Sequence, residues 1–307
     1  MIFIMAQPAI QRFKWELDVC LNNLKSHGVE DIILLFTQYD NSIPKYFEKK
    51  YGAKCFVYRD NNTSKQYIPS VKPYLWWQFL KNNPEYEKEN YFYMDADVIF
   101  RELPDFSKIP NDVNLWVASD CDGYLGTRYI DSKGKHLLEE MCKVIGVEES
   151  KIRSLDKAVG AQWIMHKPSC EYWEKVYFDC IKLYKWFCTN ELRYIRENRQ
   201  VNNYTPIQKW TAEMWAQLWN CLLFGIIPTI SSELDFCWAT DDIKRWNETK
   251  IYHNAGVTPD MHDRLFFKGQ YVNKAPFKDN LNFVDKSKCS YKYVEQILKT
   301  SKSEPCI

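Results

Sequence analysis

Two hydrophobic periods alternate along the first third of the chain. The runs at 2–6 ("IFIMA"), 31–36 ("DIILLF") and 53–60 ("AKCFVYRD") are short and nearly continuous in apolar residues, which reads as strand. Between them, 13–28 carries Trp15, Val19 and Leu24 near helical spacing, with Gly28 as its stop, and 43–52 reads as a shorter helix. This βαβαβ succession predicts a parallel sheet. A loop, "NNTSKQYIPSV", leads into a helix at 73–83 and then a fourth strand over 90–100.

The remainder is less regular. Strands are expected at 114–120 and 158–166, and helices at 132–146, 169–199, 205–225 and 290–300. In the long helix, Trp173, Val176, Tyr177, Cys180, Ile181, Tyr184 and Cys188 trace one apolar face. The helix at 205–225 has clear punctuation: Thr205 suits the cap, Pro206 the first turn and Gly225 the position past the end. Its core stripe is Ile207, Trp210, Met214, Leu218 and Cys221. With no repeat and no low-complexity linker, the pattern reads as one α/β domain (1–307) of two lobes, 1–120 and 121–275, with a C-terminal extension at 276–307 that holds the last helix.

Composition narrows the class. Hydrophobic residues make up 46% of 307, enough for a substantial core and too many for disorder. A net charge of +1 provides no long-range field that would draw in nucleic acid. Eleven cysteines without a CxxC pair, most of them inside apolar patterns, read as reduced core thiols in a cytoplasmic protein. The start "MIFIMAQPAIQRF" lacks the basic leader of a signal peptide, and no apolar run approaches the roughly 20 residues of a membrane helix. Aromatic residues are the outlier at 16%; they serve core packing first, and stacking on sugars or bases second.

One stretch contradicts its own pattern. "NYFYMDADVIF", 90–100, is the most apolar run of the chain, yet it contains Asp95 and Asp97. In a strand these two point to the same side, and two buried like charges are costly. The cost falls if the strand ends there, since open α/β sheets bind ligands just beyond the carboxyl ends of their strands, and a divalent cation bridges the pair. The alternative is two solvated aspartates in a turn. A third ligand has to come from elsewhere. Among five histidines, His253 stands at the end of a short apolar run, with Gly256 permitting close backbone approach, and it reads equally as ligand or as plain strand-end histidine. Two carboxylates and an imidazole favour Mn²⁺ over Mg²⁺.

"YFYMDADVIF" resembles the D-x-D strand of GT-A glycosyltransferases, and "VGAQWIMH", "WTAEMWAQLWN" and "IYHNAG" follow in the order such enzymes use. The resemblance covers roughly residues 1–275 and is strongest towards phage-encoded, hydroxyproline-modifying and base-J-type DNA glucosyltransferases. It implies a Rossmann-like GT-A fold with a mainly parallel central sheet, the lobe 1–120 binding a nucleotide-sugar and 121–275 the acceptor. It implies that Asp95, Asp97 and His253 hold the metal and that the metal holds the diphosphate. The nucleoside is then expected near Gln7 and Asp60. The family's H-x-x-G-x-x-K motif is incomplete here, since "HNAGVTP" has Pro259 where the lysine belongs; Lys268 or Lys72 are the candidate replacements.

On the acceptor side, Glu213, Gln217 and Asn220 form one polar stripe on the 205–225 helix, either a solvent face or a sugar-contacting face. An inverting transferase needs a base to take the acceptor's proton; Glu213 is the first candidate and Asp235 the second. Gly160 could leave room for the sugar ring or mark a bulge, and Gln162 could hydrogen-bond the sugar. Arg193, Arg196 and Arg199 form a basic face for acceptor phosphates or a solvated surface.

The function expected is therefore hexosyl transfer from a nucleotide-diphosphate sugar, a UDP-sugar foremost, to an acceptor hydroxyl. The acceptor could be a hydroxymethylated DNA base in a phage modification pathway, working in the infected host's cytoplasm, a protein hydroxyl or a glycan. The competing expectations are a catalytically inactive nucleotide-sugar-binding protein and a metal-dependent nucleotidyltransferase.

Overall fold

The computed structural model describes residues 1–61 and 65–303; part of the loop expected at 61–71 lies outside the described residues. In chain order the first elements are β1 (Ile2–Pro8), α1 (Gln11–Ser26), β2 (Ile32–Thr37), α2 (Ser42–Tyr51), β3 (Lys54–Tyr58), α3 (Val71–Asn82), β4 (Asn90–Tyr93) and β5 (Val98–Phe100). Then come β6 (Leu115–Asp120), α4 (Asp122–Leu125), α5 (Thr127–Asp131), α6 (Leu137–Ile145), α7 (Glu149–Arg153), β7 (Val159–His166) and α8 (Cys170–Glu197). The last are α9 (Ala212–Leu223), β8 (Ile227–Ile230), β9 (Phe236–Trp238), α10 (Ile243–Glu248), β10 (Ile251–His253) and α11 (Ser290–Lys302).

The fold is mixed α/β with a mostly parallel seven-stranded sheet in the order β3-β2-β1-β4-β7-β6-β8, and a second sheet in the order β5-β10-β9. β7 is antiparallel to both β4 and β6, whereas β1–β2 and β6–β8 are parallel. The chain forms two compact units that interleave in sequence. One comprises Tyr58–Tyr93 and Pro110–Ser231, together with Met1; the other comprises Ile2–Val57, Met94–Ile109 and Ser232–Ile307.

The unit that holds α3, α8 and α9 has an aromatic core. Trp76 and Trp173 stack at 4.9 Å and 7°, and Tyr91 and Tyr93 of β4 meet Trp76 edge-on. Such pairs add about 0.5–1.5 kcal/mol each beyond their buried area, so the aromatic excess is spent largely on packing. Ser169 caps α8 by accepting from the Tyr172 amide at 3.2 Å. The 205–225 helix begins later than expected, at Ala212 after a short 3-10 turn, so Thr205 and Pro206 do not punctuate it, and Trp210, expected in its core stripe, is 52% exposed.

The other unit packs α1 and α11 with the small sheet around Trp15, Ile99, Tyr252, Phe266, Tyr271 and Tyr293. Its helices end as the sequence foretold: Gly28 follows α1 and Gly52 follows α2, both with positive φ. Asn23 of α1 clamps the edge of β5, donating to the Phe100 carbonyl at 3.0 Å and accepting from its amide at 2.7 Å.

Candidate metal centre and the carboxylate of α9

The stretch 90–100 forms two strands in different sheets, where the sequence reading expected one. β4 pairs with β7 as far as Tyr93, and β5 pairs with β10 from Val98 onward. Asp95 and Asp97 occupy the turn between. An unbroken strand would have set both carboxylates on one buried face. The turn instead leaves the Asp95 side chain 33% exposed and buries Asp97, which is 5% exposed.

Strand register brings the third residue to them. His253, the last residue of β10, lies opposite Val98 on one side and Trp238 on the other. The Trp238 ring stacks on the imidazole at 6.0 Å and 13°, which fixes the ring plane. His253 Nε2 lies 3.4 Å from Asp97 Oδ1 and 3.6 Å from Asp95 Oδ2. The Asn254 amide donates to the Asp97 carbonyl at 3.0 Å, and Asn254 Oδ1 accepts from the Tyr252 hydroxyl at 2.9 Å, so the acidic turn is tied to the end of β10. Gly256, just beyond, has φ of 84°, and a Cβ there would meet Trp238 Cε3 at 3.8 Å and Thr240 Oγ1 at 3.9 Å, ordinary van der Waals contact. One ligand atom from each of Asp95, Asp97 and His253 falls within 4.8 Å of the others. Two carboxylates and an imidazole with that spread fit a divalent cation.

Asp97 has a second partner. Lys268, on a short turn at Lys268–Tyr271, donates its ammonium to Asp97 Oδ2. That turn is fastened to α1: Trp15 Nε1 donates to the Tyr271 carbonyl at 2.8 Å, and the Trp15 ring meets Phe266 and Tyr271 edge-on. Burial works against the Asp97 anion, but Lys268 first and His253 second overcome it and hold the carboxyl well below the usual range. Burial likewise works against the Lys268 cation, and Asp97 and Glu16 outweigh it and raise its pKa.

Glu16 is the residue the sequence reading missed. It is 1% exposed on α1 and accepts from Arg12 Nε at 2.9 Å. Burial, helped by the nearby Asp97 charge, pushes its carboxyl up to about 7 against the pull of Lys268 and Arg12. The signal was present: "WELDV" sets two acids inside the most apolar turn of α1. The second, Asp18, is also buried and collects Lys14, Lys50, Tyr46 and Tyr51.

Within the same unit, Gln7 is buried on β1 with its amide donating to the Leu35 carbonyl at 3.4 Å. Asp235 immediately precedes β9. Since Phe236 pairs with Ile251, and Trp238 with His253, Asp235 stands at the end of the small sheet away from the Asp–Asp–His cluster. A base acting there would lie about three strand steps, ~10 Å, from the imidazole.

In the other unit, Glu213, at the start of α9, is ion-paired to Lys72 of α3 at 2.5 Å. Its backbone amide donates to the Tyr67 hydroxyl at 2.7 Å. The polar stripe of α9 is not a solvent face: Glu213, Gln217 and Asn220 are 6%, 6% and 0% exposed, and Asn220 donates to Asp179 at 3.2 Å. Gln162 is fully buried on β7 and accepts from Ser119 Oγ at 2.7 Å. The register between β6 and β7 slips beside Gly160, and Ala161 has φ of 59°, so the strand does bulge there. A Cβ on Gly160 would meet Met214 Cε at 2.8 Å and Leu125 Cδ1 at 3.0 Å. Asp60, after β3, is paired to Lys65 at 2.6 Å. Arg193 is bound to Glu140, while Arg196 and Arg199 are exposed.

The fold and cluster together define a mixed α/β protein with a candidate cation site in the turn after a central strand. No protein-family model matches the chain, and no curated protein sequence does. Solved structures do. The galactosyltransferase LgtC, crystallised with donor and acceptor sugar analogues, aligns over 100% of this chain and 96% of its own at a TM-score of 0.50 and 11% identity. The apo structure of the bifunctional glycosyltransferase WbbM aligns over 97% of this chain and 49% of its own, at 0.47 and 11%. An active-site mutant of LgtC gives 0.46 and 10%, over 96% and 94%. At this level of identity the likeness to the first of these establishes the fold, which is the one the sequence resemblance implied. Among the described residues no helix is long and apolar enough to cross a membrane.

Proposed function

We propose that the chain is a metal-dependent glycosyltransferase that moves a hexose from a nucleotide-diphosphate sugar, a UDP-sugar foremost, to an acceptor hydroxyl. The observation that carries this reading is the convergence of Asp95, Asp97 and His253 within 4.8 Å. It gains weight from a fold shared with a galactosyltransferase that was solved with donor and acceptor sugar analogues. Bound by these three residues, Mn²⁺ or Mg²⁺ would supply Lewis-acid stabilisation of the charge that develops on a departing diphosphate.

The protein's own groups have separate tasks in this proposal. Lys268 keeps Asp97 ionised and holds one of its oxygens, so the other faces His253. Trp238 fixes the imidazole plane. Lys268 stands beside the acidic turn and replaces the missing motif lysine in this proposal, while Lys72 pairs with Glu213. Glu213, ion-paired to Lys72, takes the acceptor's proton. Asp235 is the weaker candidate because of its place at the far end of β9. Gln7 and Asp60 contribute to nucleoside binding, Gly256 to the turn after His253, and Gly160 and Gln162 to the shape of β7.

The narrowest form of the proposal has a hydroxymethylated DNA base as acceptor, in the cytoplasm of a phage-infected host. Its support is the basic succession Arg193, Arg196 and Arg199, of which Arg193 is already held by Glu140. A sugar acceptor needs no such surface.

One observation favours a second reading, a nucleotide-sugar-binding protein without turnover: an ammonium already neutralises Asp97. Incubation with a panel of nucleotide-sugars and Mn²⁺ separates the two. Release of free sugar or its transfer, abolished in Asp97→Asn, supports the enzyme. Tight donor binding with no product under any acceptor supports the binding protein and overturns the enzyme.

A further inference from the structure

The unit that carries the acidic turn also holds a cleft of about 390 Å³ between the end of α1, β5 and α11. That lies within the roughly 300–1,000 Å³ typical of small-molecule sites. The cleft is a separate place from the Asp–Asp–His cluster. It opens at Phe100 and Arg101, at the other end of the three-residue β5 from Asp97, about 10 Å along the strand.

Its lining is chemically one-sided. Arg101, Lys292 and Lys299 face a single carboxylate, Glu295, which Lys292 already neutralises at 2.9 Å. Arg101 is held in place by its Nε, which donates to the Thr249 carbonyl at 2.9 Å, and its Nη1 comes only within 3.8 Å of Glu102. Lys299 is exposed and makes no ion pair among the described residues. Two cations are thus left in excess, one of them a pre-oriented guanidinium of the kind that binds phosphate oxygens bidentately.

The remaining wall suits a hydroxylated ring. Trp246 is half-buried there, backed edge-on by Tyr252 at 6.5 Å, and offers a flat apolar surface. Gln296 is 7% exposed; its Nε2 donates to Asn22 at 3.1 Å, and its Oε1 accepts no hydrogen bond among the described residues. Gln296 lines the cleft, and its amide oxygen can accept from a donor such as a sugar hydroxyl.

We infer that this cleft is a second ligand site, for a small phosphorylated sugar, with Arg101 and Lys299 on the phosphate and Trp246 and Gln296 on the ring. The inference stands independently of the proposed transferase activity, because it concerns different residues and is read by binding alone.

Isothermal titration of the full-length protein with glucose 6-phosphate, glucose and inorganic phosphate tests it. Glucose 6-phosphate is expected to bind more tightly than either fragment. Its affinity should fall roughly tenfold in Arg101→Ala and in Lys299→Ala, as the loss of one charge-assisted contact implies, and should persist in Asp97→Asn. Both alanine variants alter exposed side chains, so the folded state is retained, and an unchanged melting temperature verifies this. Absence of binding at millimolar ligand overturns the inference. So does binding that survives both alanine substitutions or that is lost in Asp97→Asn. Inorganic phosphate binding as tightly as glucose 6-phosphate overturns the assignment to a sugar phosphate.

Discussion

Lys268 and His253 divide one carboxylate between them: the ammonium takes Asp97 Oδ2, and the imidazole Nε2 faces Oδ1 at 3.4 Å. Removing the ammonium leaves a buried anion without its cation. Lys268→Met is therefore expected to destabilise the metal-free protein by about 2–3 kcal/mol, below the range for a fully buried pair because the Lys268 side chain keeps 27% exposure. Added Mn²⁺ should raise the melting temperature of the variant more than that of the parent, since the cation now relieves an otherwise unpaired charge. Equal shifts in the two proteins would show that Asp97 is not a ligand.

In the proposed site the imidazole would set the choice of metal. His253→Ala leaves an all-oxygen pair, which suits Mg²⁺ better than Mn²⁺. The expected result is a Mn²⁺ affinity at least tenfold weaker, with Mg²⁺ affinity little changed, read by calorimetry with each ion. The substitution also strips the face of Trp238, so a stability loss of about 1 kcal/mol accompanies it.

Glu16 makes stability fall as pH rises. Its carboxyl is raised to about 7 in the folded protein, against an ordinary value of 4.5. The folded state therefore binds the proton more tightly than the unfolded state. The associated stability is full below about pH 4.5 and is lost as pH rises towards 7. Asp97 has the opposite sign: its contribution is present above its unfolded value of 3.8 and is lost as pH falls. In urea melts between pH 5 and 7.5, Glu16→Gln should flatten the downward slope seen in the parent, by an amount on the order of 3 kcal/mol at most. An identical slope in both proteins would mean that Glu16 titrates normally.

Glu213→Gln separates chemistry from support. As the proton acceptor, Glu213 is expected to contribute about 10²–10⁴-fold to transfer. The variant should lose that rate with donor affinity unchanged, and Lys72 loses its counter-ion without losing its own exposure to water. A full transfer rate in the variant would move the base elsewhere.

Gly160→Ala tests what surrounds β7. The added methyl would press on the ends of Met214 and Leu125, both flexible, so a cost of about 1 kcal/mol is expected from thermal melts. Nucleotide-sugar affinity should stay unchanged if that space belongs to the protein alone.

The sequence made the first half of the fold legible because its strands and helices are local and punctuated: α1 and α2 end at Gly28 and Gly52, where positive φ is needed. The acidic pair was legible because charges inside an apolar run demand an explanation. The break between β4 and β5 was only half legible: Asp95 and Asp97 disfavour strand, but the apolar runs on either side read as one element, and only pairing with two different sheets divides it. The start of α9 was misjudged for a related reason: Thr205 and Pro206 are good capping residues, but local preference yields to packing of Trp215 and Trp219 in the core. Burial of Glu16 and the grip of Lys268 depend on contacts far apart in sequence, which no local pattern encodes.

The indole hydrogen bond from Trp15 to Tyr271 joins positions 256 apart. During synthesis the tryptophan leaves the ribosome well before the lysine turn that it anchors. Until that turn docks, Asp97 waits without its ammonium, so the nascent chain cannot complete its charge-balanced centre from the amino-terminal strands alone. Such long-range closure slows folding. It also makes the acidic turn one of the last parts of the molecule to become competent for a cation.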